Sequence, residues 1–374
     1  MILYIGIAMV AILMAGLVRP VAASPVGRGL FALQASRRQL LNMAAIIFIF
    51  TLLFAASALR INVGNDYLSY VEYMHLIDVD AYVITEPGFN TLVKLVYGIS
   101  GFSNYLAVFA VIAFATVALF MYTVYRDSED FWFSFFLFMV FGYYFQSLNS
   151  IRYYLALAIA VFAIHYVLEK KWLHFLLLIL LAATFQRSVL AVLPLYVLAS
   201  LPWKKWMLIL AGLFCTSFLF MQDFYLRVMV YLYPSYRDSE FLVGRVSVAN
   251  IVRCGAVLVF SLIYYRQAIA GHARNRFYFY CNLGALVLYT CCSFIPEISR
   301  FGYFLTVTHM FFLPAIIRRI EDRRQRRFFT GVVIAAGLLF FAMFLVKAGE
   351  PGVRILPYRS FIFNDLPRIF SISS

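Results

Sequence analysis

The sequence predicts an all-α, polytopic membrane protein, and three observations support this fold class. Of the 374 residues, 64% are hydrophobic and only 13% are charged, which is too few polar side chains for the surface of a soluble protein. Apolar runs long enough to cross a bilayer recur from one end of the chain to the other. Alternating segments of about ten residues, typical of outer-membrane barrels, are not seen.

Twelve apolar segments are predicted to span the membrane. The segment 172–185 is short for a span, so we expect it to be kinked or partly re-entrant. The first segment has no basic residues before it and is interpreted as a retained span. No repeat or flexible linker divides the chain, so residues 1–374 are predicted to form a single integral domain. The twelve segments are 1–18, 40–59, 102–124, 131–147, 150–168, 172–185, 188–201, 206–222, 250–265, 277–294, 301–317 and 328–346.

The distribution of basic residues predicts the orientation. Of the 31 Lys and Arg residues, 18 fall in one alternating set of loops, together with only six of the 17 acidic residues. The positive-inside rule places these loops in the cytoplasm, so both termini are predicted to lie outside. The long segments 60–101, 223–249 and 347–374 then lie on the outer side, where we expect the functional site. The net charge of +14 is explained by this bias and does not indicate nucleic acid.

The outer segment 60–101 contains two carboxylates near predicted helix starts. Gly64, Asn65 and Asp66 mark a turn or helix start, and either Asn65 or Asp66 is able to cap the helix, on which Tyr67, Tyr70 and Tyr73 share one face. This helix is interpreted either as an interfacial helix resting on lipid headgroups or as a sugar-binding platform beside a carboxylate. Glu86, in the stretch TEPGFN, either caps the next helix or is a second carboxylate over a cavity.

Two polar junctions between apolar runs place arginines at the membrane edge. In NSIR, Asn149 and Arg152 are three residues apart and are expected to share a helical face. In FQRS, Gln186 and Arg187 follow the short segment 172–185, so we expect a cavity position for Arg187. Snorkelling to headgroup phosphates is one interpretation of such arginines; binding a phosphate or diphosphate ligand is the other.

Further arginines on the outer side are Arg253 and Arg300, at the starts of two predicted spans. The predicted outer side therefore carries several arginines and few lysines, which fits recognition of a phosphate group. Histidine spacing gives no metal motif, and nucleotide-binding or nucleophile-elbow motifs are not found, so neither a metal nor another cofactor is predicted. The five cysteines are interpreted as small core residues. The predicted outer loop before residue 250 also contains Arg237 and Arg245, beside Asp238 and Glu240. Glu297 precedes Arg300.

The order of these motifs resembles the EpsG family of exopolysaccharide polymerases, which is related to Wzy-type polymerases. The motifs are GNDY, TEPGFN, NSIR with LALAI, an FxxS-type junction, SRFGYF and LPYRSF, from about Asn65 to Phe361. Family members usually have a histidine where this chain has Gln186. That position is therefore not assigned as an acid or base, although the amide could hydrogen-bond a sugar hydroxyl.

The resemblance implies a metal-independent, GT-C-like glycosyltransferase of the bacterial inner membrane with its active site facing the periplasm. It would join undecaprenyl-diphosphate-linked oligosaccharides into exopolysaccharide or O-antigen. An O-antigen ligase, another polyprenyl-linked GT-C enzyme and a flippase are the alternatives, and binding of a chain-length regulator is left open. The implied catalytic residues are Asp66 or Glu86 as base, with Arg152 and Arg187 on the diphosphate; the implied substrate-binding residues are Tyr67, Tyr70, Asn149, Gln186, Arg253 and Arg300.

Overall fold

The computed structural model describes residues 1–19, 36–232, 247–295 and 298–364. Within these ranges the protein is all-helical, and the only β-type pairing is an isolated antiparallel bridge between Arg60 and Ser360. The predicted all-α fold class is therefore confirmed. The predicted outer segments 223–249 and 347–374 are described only in part. Arg237, Asp238, Glu240, Arg245 and Glu297 lie outside the described residues.

Seventeen α-helices are found in the described part of the chain, with one 3₁₀ helix at Arg187–Ala191 and one π-helical turn at Tyr265–Ile269. The α-helices are α1 (Ile2–Ala15), α2 (Arg37–Ala58), α3 (Tyr67–Asp78), α4 (Pro87–Ser100), α5 (Tyr105–Asp127), α6 (Phe131–Val140), α7 (Tyr143–Gln146), α8 (Ile151–Leu168), α9 (Trp172–Ala183), α10 (Val192–Ser200), α11 (Lys205–Phe220), α12 (Gln222–Leu232), α13 (Val248–Ile263), α14 (Ala273–Cys291), α15 (Ile298–Thr306), α16 (His309–Arg318) and α17 (Arg323–Lys347).

Several helix starts follow from local sequence. At α2, the Ser36 hydroxyl accepts from the Gln39 backbone N–H while the Gln39 side chain accepts from the Ser36 N–H, a reciprocal capping box. Asn104 and Asp130 cap α5 and α6 by accepting from backbone N–H groups three residues later. Pro87 occupies the first position of α4, where its missing N–H costs no hydrogen bond.

Five helical segments are long and apolar enough to cross a membrane: Arg37–Ala58, Tyr105–Asp127, Ile151–Leu168, Ile298–Arg318 and Arg323–Lys347. A sixth is possible if the bent pair Lys205–Phe218 and Gln222–Val228 forms one span. Each of the twelve predicted segments coincides with a helix, but the count of twelve spans stays a prediction because the other helices are short or less apolar. The protein is thus an all-helical membrane protein with five or six candidate spans.

The described chain separates into two compact units, and each is considered by itself. The first unit comprises residues 1–158 and 331–374, and the second comprises residues 159–330. The single integral domain that the sequence predicts stays a prediction. In the first unit α2 packs against α1 and α5, and α4 packs against α3 and α5. In the second unit α14 is central and contacts α10, α11, α13, α15 and α16.

A C-terminal strap, residues 350–361, closes the first unit over the segment that follows α2. The backbone N–H of Ile61 donates to the carbonyl of Arg359 at 2.9 Å, and that of Gly64 donates to the carbonyl of Arg354 at 2.9 Å. The Arg354 guanidinium also donates to the Asn62 side chain at 2.8 Å. The late motif LPYRSF therefore holds the loop that leads to Asp66, across nearly the whole length of the chain.

Candidate functional site

The loop after α2 makes a close approach at Gly64 to the turn that precedes α8. The backbone of Gly64 has a φ of +102°, in the left-handed region that favours glycine. A Cβ atom at this position would lie 2.6 Å from the carbonyl oxygen of Leu148 and 2.9 Å from the Cα of Asn149. The GNDY and NSIR motifs meet because residue 64 has no side chain.

Asn149 joins this contact with its side-chain amide. Its Oδ1 accepts from the backbone N–H of Asn65 at 2.7 Å and from that of Asp66 at 3.3 Å. Its Nδ2 donates to the carbonyl of Gly352 in the C-terminal strap at 3.2 Å. One amide therefore ties together the Asp66 loop, the α8 turn and the strap, which makes Asn149 a positioning residue for the loop.

Asp66 stands at the start of α3 with its carboxylate available for chemistry. The residue occupies the N-cap position, as the sequence predicts, but its side chain makes no capping hydrogen bond. Instead its Oδ2 accepts a hydrogen bond of 2.7 Å from the hydroxyl of Ser150, and the residue is half-buried. Ser150 thus fixes one carboxylate oxygen of Asp66.

Glu86 and Arg152 form an ion pair, and Arg152 follows Ser150 by two positions in the chain. The guanidinium Nη1 of Arg152 donates to Oε2 of Glu86, and the two side chains are only 15% and 10% exposed. The Arg152 guanidinium also lies 5.5 Å from the ring centroids of both Tyr70 and Phe89, a cation–π distance. Glu86 occupies the N-cap position of α4 but makes no capping hydrogen bond. Its carboxylate instead accepts from Arg152.

The two tyrosines predicted to stack on sugars are both buried. Tyr67 is 1% exposed, and its ring stacks on Phe109 with centroids 4.5 Å apart and planes nearly parallel. Tyr70 is 5% exposed and lies under the Arg152 guanidinium. Burial raises the pKa of the Tyr67 phenol, which keeps it neutral. Both rings are therefore packed inside the first unit, and Tyr70 is the one that contacts the cluster.

One geometric expectation is wrong. Asn149 and Arg152 do not share a helical face, because α8 begins at Ile151 and residues 147–149 form a turn. The turn points the Asn149 amide at the Asp66 loop, while Arg152, in the first turn of α8, meets Glu86. The chain therefore uses the short NSIR motif to hold two different partners.

The second unit contains the other predicted site residues. Arg253, on α13, is 9% exposed, and its guanidinium lies 6.0 Å from the ring centroid of Tyr303 on α15. Gly302 lets α15 approach α14, because a Cβ atom there would lie 2.4 Å from the ring of Tyr289. The SRFGYF motif thus places an aromatic ring beside a buried arginine.

Arg187 and Arg300 lie on neighbouring elements of this unit, since the 3₁₀ helix packs against α15. Both residues are exposed, and Gln186 just before the 3₁₀ helix is half-buried. The short segment 172–185 does end early, with α9 finishing at Ala183. The cavity position expected for Arg187 stays a prediction.

Three residues of the first unit were not singled out by sequence reasoning. Ser150 lies inside the NSIR motif but was given no role, because its bond to Asp66 depends on the turn before α8. Gly64 was considered only as a turn residue, whereas its role is close backbone approach. Arg60 is the third: it is 1% exposed and immediately follows an apolar span, a position that sequence reasoning treats as a membrane boundary.

The polar groups of the first unit therefore form one cluster at the starts of α3, α4 and α8. It consists of Asp66, Ser150, Asn149, Glu86 and Arg152, with Tyr70 beneath. Among the described residues, no group of three or more His, Cys, Asp or Glu side chains is arranged to hold a metal ion. The cluster offers a carboxylate held by Ser150 and, two positions further along the chain, a guanidinium whose counter-ion is Glu86.

Comparison with known proteins identifies the family. No curated protein and no solved structure matches the chain. The family model described as "EpsG family" matches residues 43–360, which is most of the chain and includes the whole cluster. The chain therefore belongs to the EpsG family, as the resemblance of its motifs predicts.

Proposed function

We propose that this protein is a Wzy/EpsG-type polymerase of lipid-linked oligosaccharides. It joins undecaprenyl-diphosphate-linked repeat units into exopolysaccharide or O-antigen on the periplasmic face of the bacterial inner membrane. In this proposal the chain has twelve spans, a GT-C-like arrangement and both termini outside. The observation that carries it, within a chain of this family, is that the turn and first residues of α8 hold both carboxylates: Ser150 binds Asp66, and Arg152, two positions later, pairs with Glu86.

The reaction requires one base and a binding site for a diphosphate. A hydroxyl oxygen at the non-reducing end of one repeat unit attacks the anomeric carbon of the growing chain. The new C–O bond forms as the anomeric C–O bond to phosphate breaks, and its electron pair leaves with the lipid diphosphate. The proton of the attacking hydroxyl goes to a carboxylate, for which Asp66 is the first candidate. The Ser150 hydroxyl holds one Asp66 oxygen and leaves the other for the acceptor.

Arg152 is the first candidate for the cation that stabilises the leaving group. A guanidinium binds phosphoryl oxygens two at a time and keeps its charge at every relevant pH. Without substrate, Glu86 neutralises this charge, and the Tyr70 and Phe89 rings fix the guanidinium plane. A diphosphate carries more charge than a carboxylate and can replace Glu86 on the guanidinium. Glu86 is therefore foremost a counter-ion and only the second candidate for the base.

The other predicted residues have supporting roles in this proposal. Arg187, Arg253 and Arg300 supply further positive charge for the lipid diphosphates, and Gln186 hydrogen-bonds a sugar hydroxyl. Asn149 holds the Asp66 loop rather than the substrate. Tyr67 and Tyr70 support the fold around the site, because both rings are buried.

The test is complementation of a strain lacking the gene, with polymer length and lipid-linked repeats measured on gels. We expect Asp66→Asn and Arg152→Ala to abolish long polymer while single lipid-linked repeats accumulate. The matched controls are Asp80→Asn and Lys94→Ala, which break an exposed ion pair between the turn after α3 and helix α4 and should give normal polymer. Normal chain lengths in both site variants would contradict the proposal.

A second assay separates polymerisation from the alternative functions. Purified protein receives only lipid-linked repeat units, and the products are separated by length. A ladder of oligomers supports a polymerase, whereas a ligase or a monophosphate-dependent transferase gives none. Movement of the lipid-linked units across a vesicle membrane without bond formation would instead indicate a flippase. In the same assay, activity retained by Glu86→Gln would leave Asp66 as the base, because a base cannot be replaced by an amide.

A further inference from the structure

The second unit carries a cluster of arginines where α17 begins, outside the proposed catalytic cluster. Arginines occupy four of the first five positions of α17, and a fifth lies in the π-helical turn that follows α13. Arg326 is half-buried, and the other four are exposed. We call this set the basic corner, and its members are Arg266, Arg323, Arg324, Arg326 and Arg327.

Contacts between side chains hold the π-helical turn against the start of α17. The Tyr264 hydroxyl donates to the side-chain carbonyl of Gln325 at 2.9 Å. The Phe329 ring lies 5.5 Å from that of Tyr264 and 4.9 Å from that of Phe260, measured between centroids. Because Gln325 lies between the two arginine pairs of α17, Arg266 belongs to the same corner as these pairs.

The positive charge of the basic corner is not neutralised by neighbouring carboxylates. Residues 318–327 contain six arginines and only two acidic residues. In the part of the chain that the structure describes, none of the five arginines of the corner takes part in an ion pair. Arginines three or four positions apart on one helix also repel each other, as Arg323 repels Arg326 and Arg327. The corner thus presents a positive potential at some cost to the start of α17.

The position of this charge along α17 indicates a membrane surface. Residues Arg323–Lys347 form a candidate membrane span, and its apolar part begins directly after Arg327. The first residue of that part, Phe328, is 64% exposed. Arginines followed at once by an exposed aromatic ring and an apolar helix are expected at the level of the lipid headgroups. The anions that are abundant at this level are the phosphate groups of phospholipids.

We propose that the basic corner is a docking surface for anionic phospholipids, such as phosphatidylglycerol, in the leaflet at this end of α17. Guanidinium groups bind the phosphate oxygens in pairs, and the acyl chains lie along Phe328 and the apolar part of α17. A zwitterionic lipid carries its own cation next to the phosphate and gains less from the corner. An acidic protein segment would match the charge but not the exposed aromatic and apolar surface beside it. The inference concerns lipid binding and does not depend on the polymerase reaction.

The test measures lipid binding to the full-length protein purified in micelles of a neutral detergent. The probe is phosphatidylglycerol with a dansyl group on one acyl chain, and its binding is followed by energy transfer from the tryptophans of the protein. Unlabelled lipids with matched acyl chains then displace the probe. We expect phosphatidylglycerol to displace it about tenfold better than phosphatidylcholine, and this preference to decrease as salt is added. Glycerol phosphate, which has the charge of the headgroup without acyl chains, should displace little probe.

Paired substitutions locate the binding. Each arginine near a membrane surface contributes about a fivefold gain in affinity for an anionic lipid, so Arg323→Gln/Arg324→Gln should weaken phosphatidylglycerol binding about twentyfold. Arg323→Lys/Arg324→Lys keeps both charges and should retain most of the affinity. The matched control is Arg37→Gln/Arg38→Gln, which removes the same charge from the first two positions of α2, another candidate span, and should leave the affinity within about twofold of wild type.

Three results would each overturn the inference. The first is equal displacement of the probe by phosphatidylglycerol and phosphatidylcholine. The second is an equal loss of affinity in the two glutamine pairs, which would mean that any exposed arginines at the start of a span attract anionic lipid to the same extent. The third is displacement by glycerol phosphate as effective as that by phosphatidylglycerol, which would mean that the corner binds a free phosphate group rather than a lipid.

Discussion

Arg152 and Arg60 lie in the same unit at the ends of apolar helices, but their charges are compensated differently. Arg152 has a carboxylate partner, Glu86, and two aromatic rings around its guanidinium. Arg60 is more deeply buried, and its described partners are one carbonyl group and one aromatic ring. Under the proposed function, Arg152 exchanges Glu86 for a diphosphate, whereas Arg60 has no carboxylate partner to exchange among the described residues.

If the proposed function holds, this difference means that burial alone does not identify the arginine that binds substrate. An ion pair near the surface of the site can open when a more highly charged ligand arrives, because the arginine keeps a partner throughout. A fully buried cation has no such exchange with a large substrate. The proposed function therefore assigns substrate recognition to Arg152 and not to Arg60, although both follow or begin apolar runs in the sequence.

The largest effect is expected from removing the charge of Glu86. In Glu86→Gln the new amide has nearly the shape of the carboxylate, but the mostly buried Arg152 guanidinium loses its counter-ion. We expect the free energy of unfolding to fall by about 3 kcal/mol. Denaturant unfolding of the purified protein, monitored by tryptophan fluorescence, measures this change.

The double variant Glu86→Met/Arg152→Met provides the internal control. Replacing both members of a buried pair by apolar side chains is often close to neutral, so most of the loss should be recovered. Asp80→Asn, which breaks the exposed pair with Lys94, should leave stability unchanged. Equal losses of stability in Glu86→Gln and the double variant would show that the lost counter-ion of Arg152 does not explain the effect of Glu86→Gln.

The second-largest effect is expected at the glycine that brings the two motifs together. Gly64→Ala adds a Cβ atom 2.6 Å from a backbone carbonyl at a φ of +102°, and backbone cannot move aside as a side chain can. We expect a loss of about 2 kcal/mol and a corresponding drop in polymer formation.

Gly98→Ala, in the same outer region, is the matched control for this prediction. A Cβ atom at residue 98 meets nothing within 4 Å, and the residue lies inside α4. Alanine should therefore stabilise that helix slightly. If Gly64→Ala behaves like Gly98→Ala, the close approach of the two loops is not what holds Asp66 in place.

The helical fold follows from sequence more directly than the site does. Apolar runs and basic loops are local signals, and each predicted segment coincides with a helix. Asp66, Glu86, Asn149 and Arg152 were recognised because charged and amide groups are conspicuous beside apolar runs. Their pairing was not predictable, because it depends on contacts between residues 66 to 84 positions apart.

Other features have no local signal at all. The C-terminal strap reaches the Asp66 loop across about 290 residues, as in the bond between Arg354 and Asn62. The burial of Tyr67 depends on Phe109, a residue of another helix. The regular tyrosine spacing was consistent with an exposed platform and with a core face, and only packing distinguishes the two.

A smaller effect is expected from the hydroxyl that orients Asp66. Ser150→Ala removes the 2.7 Å hydrogen bond to Oδ2 and leaves the loop contacts of Asn149 intact. We expect a stability loss of about 1 kcal/mol and roughly tenfold slower polymerisation, because the carboxylate is less well positioned. The rate is measured with purified protein and lipid-linked repeats.

Ser100→Ala tests the specificity of that effect. The Ser100 hydroxyl bonds only to the Val96 carbonyl of its own helix, so its loss should leave the rate unchanged. Ser150→Thr should restore much of the activity, since the hydroxyl is retained. A Ser150→Ala enzyme with the wild-type rate would place the base elsewhere, with Glu86 the next candidate.

The smallest effect on stability is expected at Arg60, and it separates the two arginines most clearly. Arg60→Met removes a buried charge that has no carboxylate partner among the described residues, so the free energy of unfolding should stay within about 1 kcal/mol of wild type. Arg152→Met removes the guanidinium that pairs with the buried Glu86 and should cost about 3 kcal/mol under the same conditions. Denaturant unfolding of the two purified variants measures both changes. A loss in Arg60→Met as large as that in Arg152→Met would mean that the groups around Arg60 compensate its charge, and the contrast with Arg152 would disappear.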